Sequence, residues 1–320
     1  MSFSLTGNDS EKLNQLCGRT YKEQVVWFLN AFWDQFQADA EKLWKHVQLC
    51  ADLDAQRHAE GTALDELNAH RFLEQIGETL TVVALRERLR KTGAIGQTDR
   101  PKAVPLTHYL LWRYEVDWHV LVNTHGDNSA EIAEAQRLLD SVSAAFAEAE
   151  RQAEIARKAE AYAREQEAPF KAAQEEVDAA LADVNAQESA RDNRTAELQR
   201  KSTEGGIVQQ NKAKAELAQH LAEDPLPLRK AKITLEAALK RAEKARAPFE
   251  AATKVAEAAR QASEDALADA SRKVEEAEAY LAEVKAKPGS PHGAIWWMER
   301  ELAEQKKYLP SSKGGVAKRG

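Results

Sequence analysis

Glycine and proline are scarce in this chain, with 14 Gly and 9 Pro among 320 residues. Both residue types mark turns, and an all-β sandwich or barrel needs a turn after each of its short strands. The shortage of turn residues therefore argues against a fold of many short strands. Hydrophobic residues make up 43% of the chain, which is enough apolar content for a packed core.

Cysteine and long apolar runs are also nearly absent. Cys17 and Cys50 are the two cysteines, too few for a disulfide framework or a cysteine-rich metal site, so a reducing compartment is expected. No stretch reaches the ~18 apolar residues of a membrane helix, and the N-terminus lacks the basic and apolar regions of a secretory signal. The sequence predicts a soluble cytoplasmic protein with no membrane partner.

Catalytic motifs are missing as well. The chain has no phosphate-binding glycine-rich loop, no HExxH zinc motif and no nucleophile elbow. His46 and Cys50 stand four residues apart on a predicted helix, but two ligands make a weak metal signal, and core packing is the better interpretation. We expect a protein that is not an enzyme and has no catalytic residue, metal site or cofactor.

Alanine dominates residues 130–287, where it provides 44 of 158 residues. Alanine is the strongest helix former, and small apolar residues recur there at alternating spacings of three and four, as from Leu235 through Ala238, Ala242 and Ala245 to Phe249. This repeat indicates a coiled coil. Interruptions at residues 205–206 (Gly-Gly) and 224–227 (Asp-Pro-Leu-Pro) predict two long helices that fold back as an antiparallel hairpin.

Two further features shape this hairpin prediction. Helices of 60 to 70 residues would form a rod on the order of 100 Å long at ~1.5 Å per residue. Pro169 and Pro248 each stand in an Ala-Pro-Phe triplet inside a predicted helix. Because proline lacks the backbone N–H, each is expected to kink or end its helix.

The first part of the chain is different, because it holds five of the seven tryptophans. An amphipathic helix is predicted over residues 21–52, followed by shorter helices over residues 64–76, 81–90 and 106–114. We therefore predict an all-α fold in three parts. A compact helical domain covers residues 1–128, a long Ala-rich antiparallel coiled-coil hairpin covers residues 129–287, and a short C-terminal helix with a basic tail covers residues 288–320.

The charge distribution is uneven. The net charge of -7 argues against a nucleic-acid partner. Residues 130–192 carry 15 acidic and 7 basic residues, whereas residues 228–250 carry 7 basic and 3 acidic residues. Two interpretations stay open: the arms of the hairpin attract each other, or the basic segment docks on an acidic polymer. The tail adds a second basic cluster of Lys306, Lys307, Lys313, Lys318 and Arg319.

Four segments resemble the calcium-regulated F-actin-bundling proteins. Residues 27–33 (WFLNAFW) resemble the aromatic N-terminal helix of that family, and residues 85–114, ending in YLLWRY, resemble its EF-hand. Residues 215–219 (AELAQ), with DPL at 224–226 and AAL at 237–239, resemble the start of its bundling region. The most specific segment is GAIWWM at 293–298, followed by Lys306, Lys307 and Tyr308.

The resemblance implies an EF-hand-like N-terminal domain, a helical actin-bundling region around residues 205–250, and a cytoskeleton-associated protein that links F-actin filaments side to side. F-actin is acidic, so basic residues become candidate actin-binding residues. These are Lys212, Lys214, Arg229, Lys230, Lys232, Lys240, Arg241 and Lys244. A single chain must contact two filaments or associate with a second copy, and both stay open. The alternative is a coiled-coil protein of another acidic filament, such as the microtubule.

The predicted EF-hand loop departs from the family pattern. If Tyr109 follows the last loop position, the twelve-residue loop covers residues 97–108. Oxygen ligands are needed at positions 1, 3, 5 and 12 and glycine at position 6. The four ligand positions hold Gln97, Asp99, Pro101 and His108, and the glycine position holds Lys102. We therefore expect no calcium binding and no direct regulation by calcium.

The C-terminal helix is predicted over residues 294–308. Its candidate docking residues are Ile295, Trp296, Trp297, Met298 and Leu302. Exposed paired tryptophans would favour aggregation, so we expect this helix to pack on the coiled coil or on the N-terminal domain. A sharper hypothesis is an autoinhibitory clasp, with the helix in a groove of the EF-hand-like domain.

Overall fold

The computed structural model describes residues 4–79, 81–99, 102–124, 129–287 and 289–307. These residues form twelve α-helices and one two-stranded sheet, which confirms the all-α class. The helices are α1 (Asp9–Cys17), α2 (Tyr21–Ala31), α3 (Trp33–Phe36), α4 (Ala40–Leu53), α5 (Glu66–Gln75), α6 (Val82–Lys91), α7 (Leu106–Tyr114), α8 (Trp118–Asn123), α9 (Ser129–Lys201), α10 (Ile207–Ala222), α11 (Leu226–Lys285) and α12 (His292–Lys306). The strands are β1 (Ala63–Asp65) and β2 (Ala103–Pro105). None of the helices in the described ranges combines the length and the apolar character of a membrane span.

The chain divides into two compact units. Unit 1 comprises residues 1–147 and 267–320, and unit 2 comprises residues 148–266. Unit 1 thus contains α1 to α8, both strands and α12, together with the first turns of α9 and the last turns of α11. Unit 2 contains α10 and the remainder of the two long helices.

Two helix–loop–helix motifs form the centre of unit 1. Helices α4 and α5 flank the first loop, α6 and α7 flank the second, and β1 pairs antiparallel with β2 between the loops. Leu64 lies opposite Val104 at the middle of this sheet. Asp65 caps α5 by accepting the backbone N–H of Asn68, and Thr81 caps α6 in the same way. The paired helix–loop–helix architecture is the one expected of an EF-hand-like domain.

The single helix predicted over residues 21–52 is wrong, because the chain breaks it into α2, α3 and α4. The backbone leaves the helical region at Phe32 (φ -130°, ψ 30°) and at Phe36 (φ -128°, ψ 15°). The two rings lie against Phe28, at centroid distances of 5.4 and 5.7 Å, and the tilted ring of Tyr114 lies 4.7 Å from that of Phe36. Aromatic packing here outweighs helix propensity.

In unit 2 the long helices α9 and α11 run antiparallel, which confirms the predicted hairpin. The rings of Phe170 and Phe249 stack across it with centroids 5.2 Å apart. Glu188 lies eighteen residues after Phe170 on α9, and Lys232 lies seventeen residues before Phe249 on α11. Glu188 and Lys232 form an ion pair across the hairpin. The buried residues between the helices are small: Ala156, Ala173, Ala180, Val184, Ala231, Ala238, Ala252, Ala256 and Ala259. These contacts set the register of the hairpin.

Neither internal proline ends its helix, so that part of the prediction is wrong. Helix α9 continues through Pro169, and α11 continues through Pro248. Both prolines are exposed, so solvent can satisfy the carbonyl that loses its N–H partner. Pro169 is followed by Phe170 and Pro248 by Phe249, and these two rings stack on each other. The stack holds α9 and α11 together at the place where each helix lacks one backbone hydrogen bond.

Candidate functional site

The eight basic residues predicted as a docking surface all lie on α10 and α11 of unit 2, and all eight are exposed. Lys212 and Lys214 belong to α10, and the other six belong to α11. Their ion pairs separate them into residues that hold the hairpin together and residues that are available to a partner.

Two of the eight link the arms of the hairpin. Lys232 Nζ lies 2.8 Å from a carboxylate oxygen of Glu188, and Arg241 pairs with Glu176. Both carboxylates belong to α9, so each pair joins α11 to the acidic arm. For these two residues, the interpretation that the arms attract each other is confirmed.

Three more of the eight have partners close by in sequence. Lys212 lies 4.0 Å from Glu216, Arg229 lies 3.3 Å from Asp224, and Lys240 lies 2.8 Å from Glu236. Exposed pairs of this kind contribute about 0–1 kcal/mol. A partner with a carboxylate can therefore displace them at little cost.

The remaining three, Lys214, Lys230 and Lys244, have no ion-pair partner within the described ranges. Lys230 and Lys244 lie on the outward face of α11, on the same side as three large apolar residues that are exposed. We call this surface the outer stripe, and it consists of Leu226, Lys230, Ile233, Lys240, Lys244 and Val255. The spacings between its members correspond to whole turns of one helix.

The apolar members of the outer stripe escaped the sequence prediction. Leu226, Ile233 and Val255 have exposed fractions of 62%, 59% and 59%. The residues of α11 that face α9 follow a continuous three-four repeat, which dominates the pattern of apolar residues in the sequence. The outward apolar residues recur only every seven residues or more. The signal that could have identified them is the spacing of seven from Leu226 to Ile233 and from Ile233 to Lys240. The exposed apolar residues and the unpaired cations together make the outer stripe a candidate surface for an acidic protein partner.

The second loop of unit 1 uses its polar side chains for its own fold. Asp99 Oδ2 accepts the backbone N–H of Gly96 at 2.8 Å. His108 lies within α7 with only 7% of its surface exposed, and burial lowers its pKa to about 4. A buried neutral imidazole at the last loop position cannot replace the bidentate carboxylate of a calcium site. Of the other predicted loop positions, Lys102 is exposed, and Pro101 lies outside the described residues.

The first loop has carboxylates, but they too serve structure. Asp54 accepts the hydroxyl of Tyr21 at 3.0 Å and the backbone N–H groups of Gln56 and Arg57 at 3.3 and 3.1 Å. Asp65 caps α5. Across the described ranges, no three His, Cys, Asp or Glu side chains converge as metal ligands. His46 and Cys50 lie in the core, where His46 packs edge-on against Phe72.

The C-terminal helix α12 packs within unit 1 against α2 and α4. Four of its predicted docking residues are buried, namely Ile295, Trp297, Met298 and Leu302, and Trp296 is half-buried. The Trp297 ring lies 4.7 Å from the ring of Trp44 on α4. This burial supports the interpretation that α12 packs on the N-terminal domain.

Polar contacts fix the position of α12 along α2 and α4. The backbone N–H of Ala294 donates to Asn30 Oδ1 at 2.8 Å. Arg300 pairs with Glu41 at 2.9 Å, and its guanidinium lies over the ring of Trp44, 5.1 Å from the centroid. Within unit 1, α12 also packs beside α9 and α11. Two cations of the predicted basic tail have ion-pair partners at 2.6 Å: Lys306 pairs with Glu278 of α11, and Lys307 pairs with Glu304 of α12. The remaining tail cations Lys313, Lys318 and Arg319, and Tyr308, lie outside the described residues.

Comparison with known proteins gives one family. The family described as F-actin bundling C-terminal matches residues 109–285, which is more than half of the chain. Among solved structures, the chain is similar to a 34 kDa F-actin bundling protein from Dictyostelium discoideum, at 19% sequence identity and a TM-score of 0.44, with 96% of this chain and 99% of that chain covered. No curated protein sequence matches the chain.

Gly293 is where α12 approaches α2 most closely. A Cβ atom at position 293 would lie 2.6 Å from the backbone nitrogen of Asn30 and 2.7 Å from the carbonyl carbon of Leu29. We predict that Gly293→Ala lowers the free energy of unfolding of unit 1 by about 1–3 kcal/mol, because backbone atoms must move to admit the methyl group. Urea denaturation followed by tryptophan fluorescence measures the change. Gly206→Ala is the control, since a Cβ there meets nothing within 4 Å; equal midpoints for Gly293→Ala and wild type would contradict the close approach.

His108 makes the stability of unit 1 depend on pH. Its folded pKa of about 4 lies below the unfolded value of about 6.5, so the unfolded chain binds more protons between these two values. Stability should therefore fall as the pH is lowered from about 6.5 to 4, with His108 contributing about 1.4 kcal/mol per pH unit. Denaturation midpoints measured across this range should show a shallower slope for His108→Gln than for wild type. Parallel slopes would mean that His108 has the same pKa in the folded and unfolded protein, contrary to its burial.

Proposed function

The chain belongs to the F-actin bundling C-terminal family, and on this premise we propose that it binds actin filaments through the outer stripe of α11 and cross-links them side by side. The observation that carries the proposal is the stripe itself. It combines lysines that have no ion-pair partner in the described part of the chain with large apolar residues that are exposed to solvent.

The chemistry of the stripe suits an actin filament. F-actin is an acidic polymer, so unpaired lysines attract it over several ångströms and speed the encounter. The exposed side chains of Leu226, Ile233 and Val255 then supply apolar area, which contributes roughly 25 cal/mol per Å² once it is removed from water. A helical face also presents its contacts at intervals of whole turns, which suits a repeating filament surface.

Lys232 and Arg241 have a different role in this proposal. Their pairs with Glu188 and Glu176 join α11 to α9, so they support the hairpin that displays the stripe. The basic surface extends beyond the first turn of α11 to the α10 end of unit 2. Its members there are Lys212, Lys214 and Arg229. The protein has a mechanical role in this account, with no catalytic residue and no cofactor, and works at the cytoskeleton in the cytoplasm.

We also propose that calcium does not regulate this chain directly. The support is the use of the loop side chains: Asp54, Asp65 and Asp99 all accept hydrogen bonds from the protein itself, and His108 is buried and neutral. The short β1–β2 pairing also joins the two loops by backbone hydrogen bonds.

Reversal of the two unpaired stripe lysines tests the filament site. We predict that Lys230→Glu combined with Lys244→Glu weakens F-actin binding by about tenfold or more, because two attractive contacts become repulsive. Co-sedimentation at high speed measures binding. The matched control is Arg164→Glu with Lys254→Glu, which makes the same charge change at two exposed positions outside the stripe. Unaltered binding by the stripe variant would place the site elsewhere, and pelleting with microtubules instead of F-actin would favour the alternative filament.

A charge exchange separates hairpin stability from binding. Lys232→Glu should lower the melting temperature by disrupting the pair with Glu188, and the added Glu188→Lys should restore it. If Lys232 acts only within the hairpin, the exchanged protein should bind F-actin like wild type. Weak binding by the stable exchanged protein would instead assign Lys232 to the filament site.

The calcium proposal has its own test. Titration calorimetry of the full chain should give no heat of binding at micromolar Ca²⁺, since the second loop lacks a carboxylate at its last position. Low-speed pelleting of actin bundles should be the same in millimolar Ca²⁺ and in a chelator. An EF-hand protein with intact loops serves as the positive control, and micromolar affinity of this chain would refute the proposal.

A further inference from the structure

Two hydroxyl residues of this chain follow an arginine by three positions. They are Thr203, after Arg200, and Ser263, after Arg260. Basic residues shortly before a serine or threonine are the charge pattern that arginine-directed protein kinases recognise, because the substrate groove of such kinases is acidic. Lys201 lies between Arg200 and Thr203 and adds a second cation to the pattern. Thr203 therefore has the sequence of a kinase substrate, and Ser263 has a weaker version of it.

Thr203 lies where the chain is not helical. It is exposed in the turn between α9, which ends at Lys201, and α10, which begins at Ile207. Ser263, in contrast, lies within α11 and is half-buried. The backbone of a helix is bonded along its own axis, so a helical segment cannot extend across a kinase groove. Of the two residues, Thr203 therefore combines the charge pattern with an accessible backbone.

Few contacts hold Thr203 in its turn. Its backbone N–H and its Oγ1 both donate to the carbonyl of Arg200, at 3.1 and 2.9 Å, and the N–H of Glu204 donates to the same carbonyl at 3.1 Å. Unwinding the last turn of α9 therefore breaks all three bonds together. Terminal turns open at a low free-energy cost, and Gly205, with φ 98°, tolerates many backbone conformations. The segment can extend while the rest of α9 stays folded.

The two cations before Thr203 are available to a kinase. The Arg200 side chain is 68% exposed and pairs with Glu204 at 3.9 Å, and the Lys201 side chain is 53% exposed and pairs with Glu197. Exposed pairs of this kind are weak because solvent screens them. Carboxylates of a kinase can therefore replace Glu204 and Glu197 as partners.

The surroundings of Thr203 also suit a phosphate group. Gln210 Nε2 donates to the carbonyls of Thr203 and Gly205, at 3.3 and 3.1 Å, which holds Thr203 beside the first turn of α10. Helix α10 has no side-chain cap at Gly206 and no acidic residue in its first turn. A phosphate on Thr203 would bring negative charge to this positive helix end and to Arg200.

These contacts lead to one inference. We propose that Thr203 is a phosphorylation site for an arginine-directed protein kinase, and that its phosphate weakens filament binding at the α10 end of unit 2. In the reaction, Thr203 Oγ1 bonds to the γ-phosphorus of ATP, the bond from that phosphorus to the bridging oxygen breaks, and ADP leaves. The hydroxyl proton passes to the catalytic aspartate of the kinase. The effect on binding rests on the proposed function.

Electrostatics gives the direction of this effect. The phosphate adds a charge of about -1.5 to -2 at pH 7. Lys212 and Lys214 follow the first residue of α10, and both lie within about 10 Å of it along the helix axis. That distance is close to the Debye length of about 8 Å at physiological ionic strength. The phosphate therefore lowers the attraction of this basic surface for an acidic filament.

Labelling of the folded full chain tests the site. With the catalytic subunit of cAMP-dependent protein kinase and Mg-ATP, mass spectrometry should find about one phosphate per chain on Thr203 and none on Ser263. Arg200→Gln should slow labelling by about tenfold or more, because the kinase loses its charged contact. Arg164→Gln is the matched control at another exposed arginine of α9 and should label like wild type.

The labelling has outcomes that contradict the site. Phosphate on Ser202 or Ser263 in place of Thr203 would overturn the proposal. So would a chain that stays unlabelled while a control peptide is labelled in the same reaction.

High-speed co-sedimentation of the phosphorylated chain tests the effect on binding. Its affinity for F-actin should fall by about threefold, and the difference should shrink at high salt. Thr203→Ala taken through the same kinase reaction should bind like untreated wild type. Equal affinities of phosphorylated and untreated wild type would overturn the proposal. If untreated wild type does not pellet with F-actin, the proposed function fails and the effect on binding fails with it, whereas the labelling still decides whether Thr203 is a kinase substrate.

Discussion

The antiparallel contact between α9 and α11 is the constraint on which the exposed surface of unit 2 depends. The residues buried there are mostly alanines, and each removes little apolar area from water, so the seam stabilises the hairpin weakly per residue. The stacked rings of Phe170 and Phe249 and the pairs of Lys232 and Arg241 with α9 add local contacts that select one alignment. Small residues also use only a narrow strip of each helix, so several large apolar side chains of unit 2, such as Leu226, Ile233 and Val255, stay on the outside.

This division explains why one basic segment can serve two purposes. Lysines and arginines that face the acidic arm meet carboxylates and hold the arms together. Lys230 and Lys244, on the outward side, have no ion-pair partner in the described part of the chain, and Lys230 stands between Leu226 and Ile233. In the proposed function, hairpin stability and filament binding therefore depend on different members of the same charge cluster, and the two properties can be altered separately.

The two helix–loop–helix motifs of unit 1 use loop carboxylates for contacts within the protein. Asp54 and Asp65 accept hydrogen bonds from the protein, and Leu64 pairs with Val104 between the loops. Hydrogen bonds to a carboxylate contribute roughly 1.5–3 kcal/mol each, so a few of them can hold such loops. The proposal that this chain binds no calcium agrees with Lys102 in the second loop, because a cation there would oppose a bound ion.

Much of the architecture could be predicted because it depends on periodicity and on breaks in the chain. The scarcity of turn residues, the three-four repeat of alanine, and the glycines and prolines between α9, α10 and α11 determined an all-α protein with a long antiparallel hairpin. The eight basic residues are exposed on it, and their role in actin binding stays a prediction. A repeat, however, reports only which side of one helix is apolar. It does not say which residue of the other helix lies opposite, so the facing of Phe170 and Phe249 was decided by tertiary packing.

The same limit applies to the details of both sites. The sequence by itself determined that residues 228–250 are basic and that the loop over residues 97–108 lacks calcium ligands. Only the tertiary structure decided which lysines meet a carboxylate, where α12 packs, and that the helix over residues 21–52 breaks at Phe32 and Phe36. The physical reason is that ion pairs and aromatic contacts join residues far apart in the chain, and their energies outweigh local propensity only when the fold brings them together.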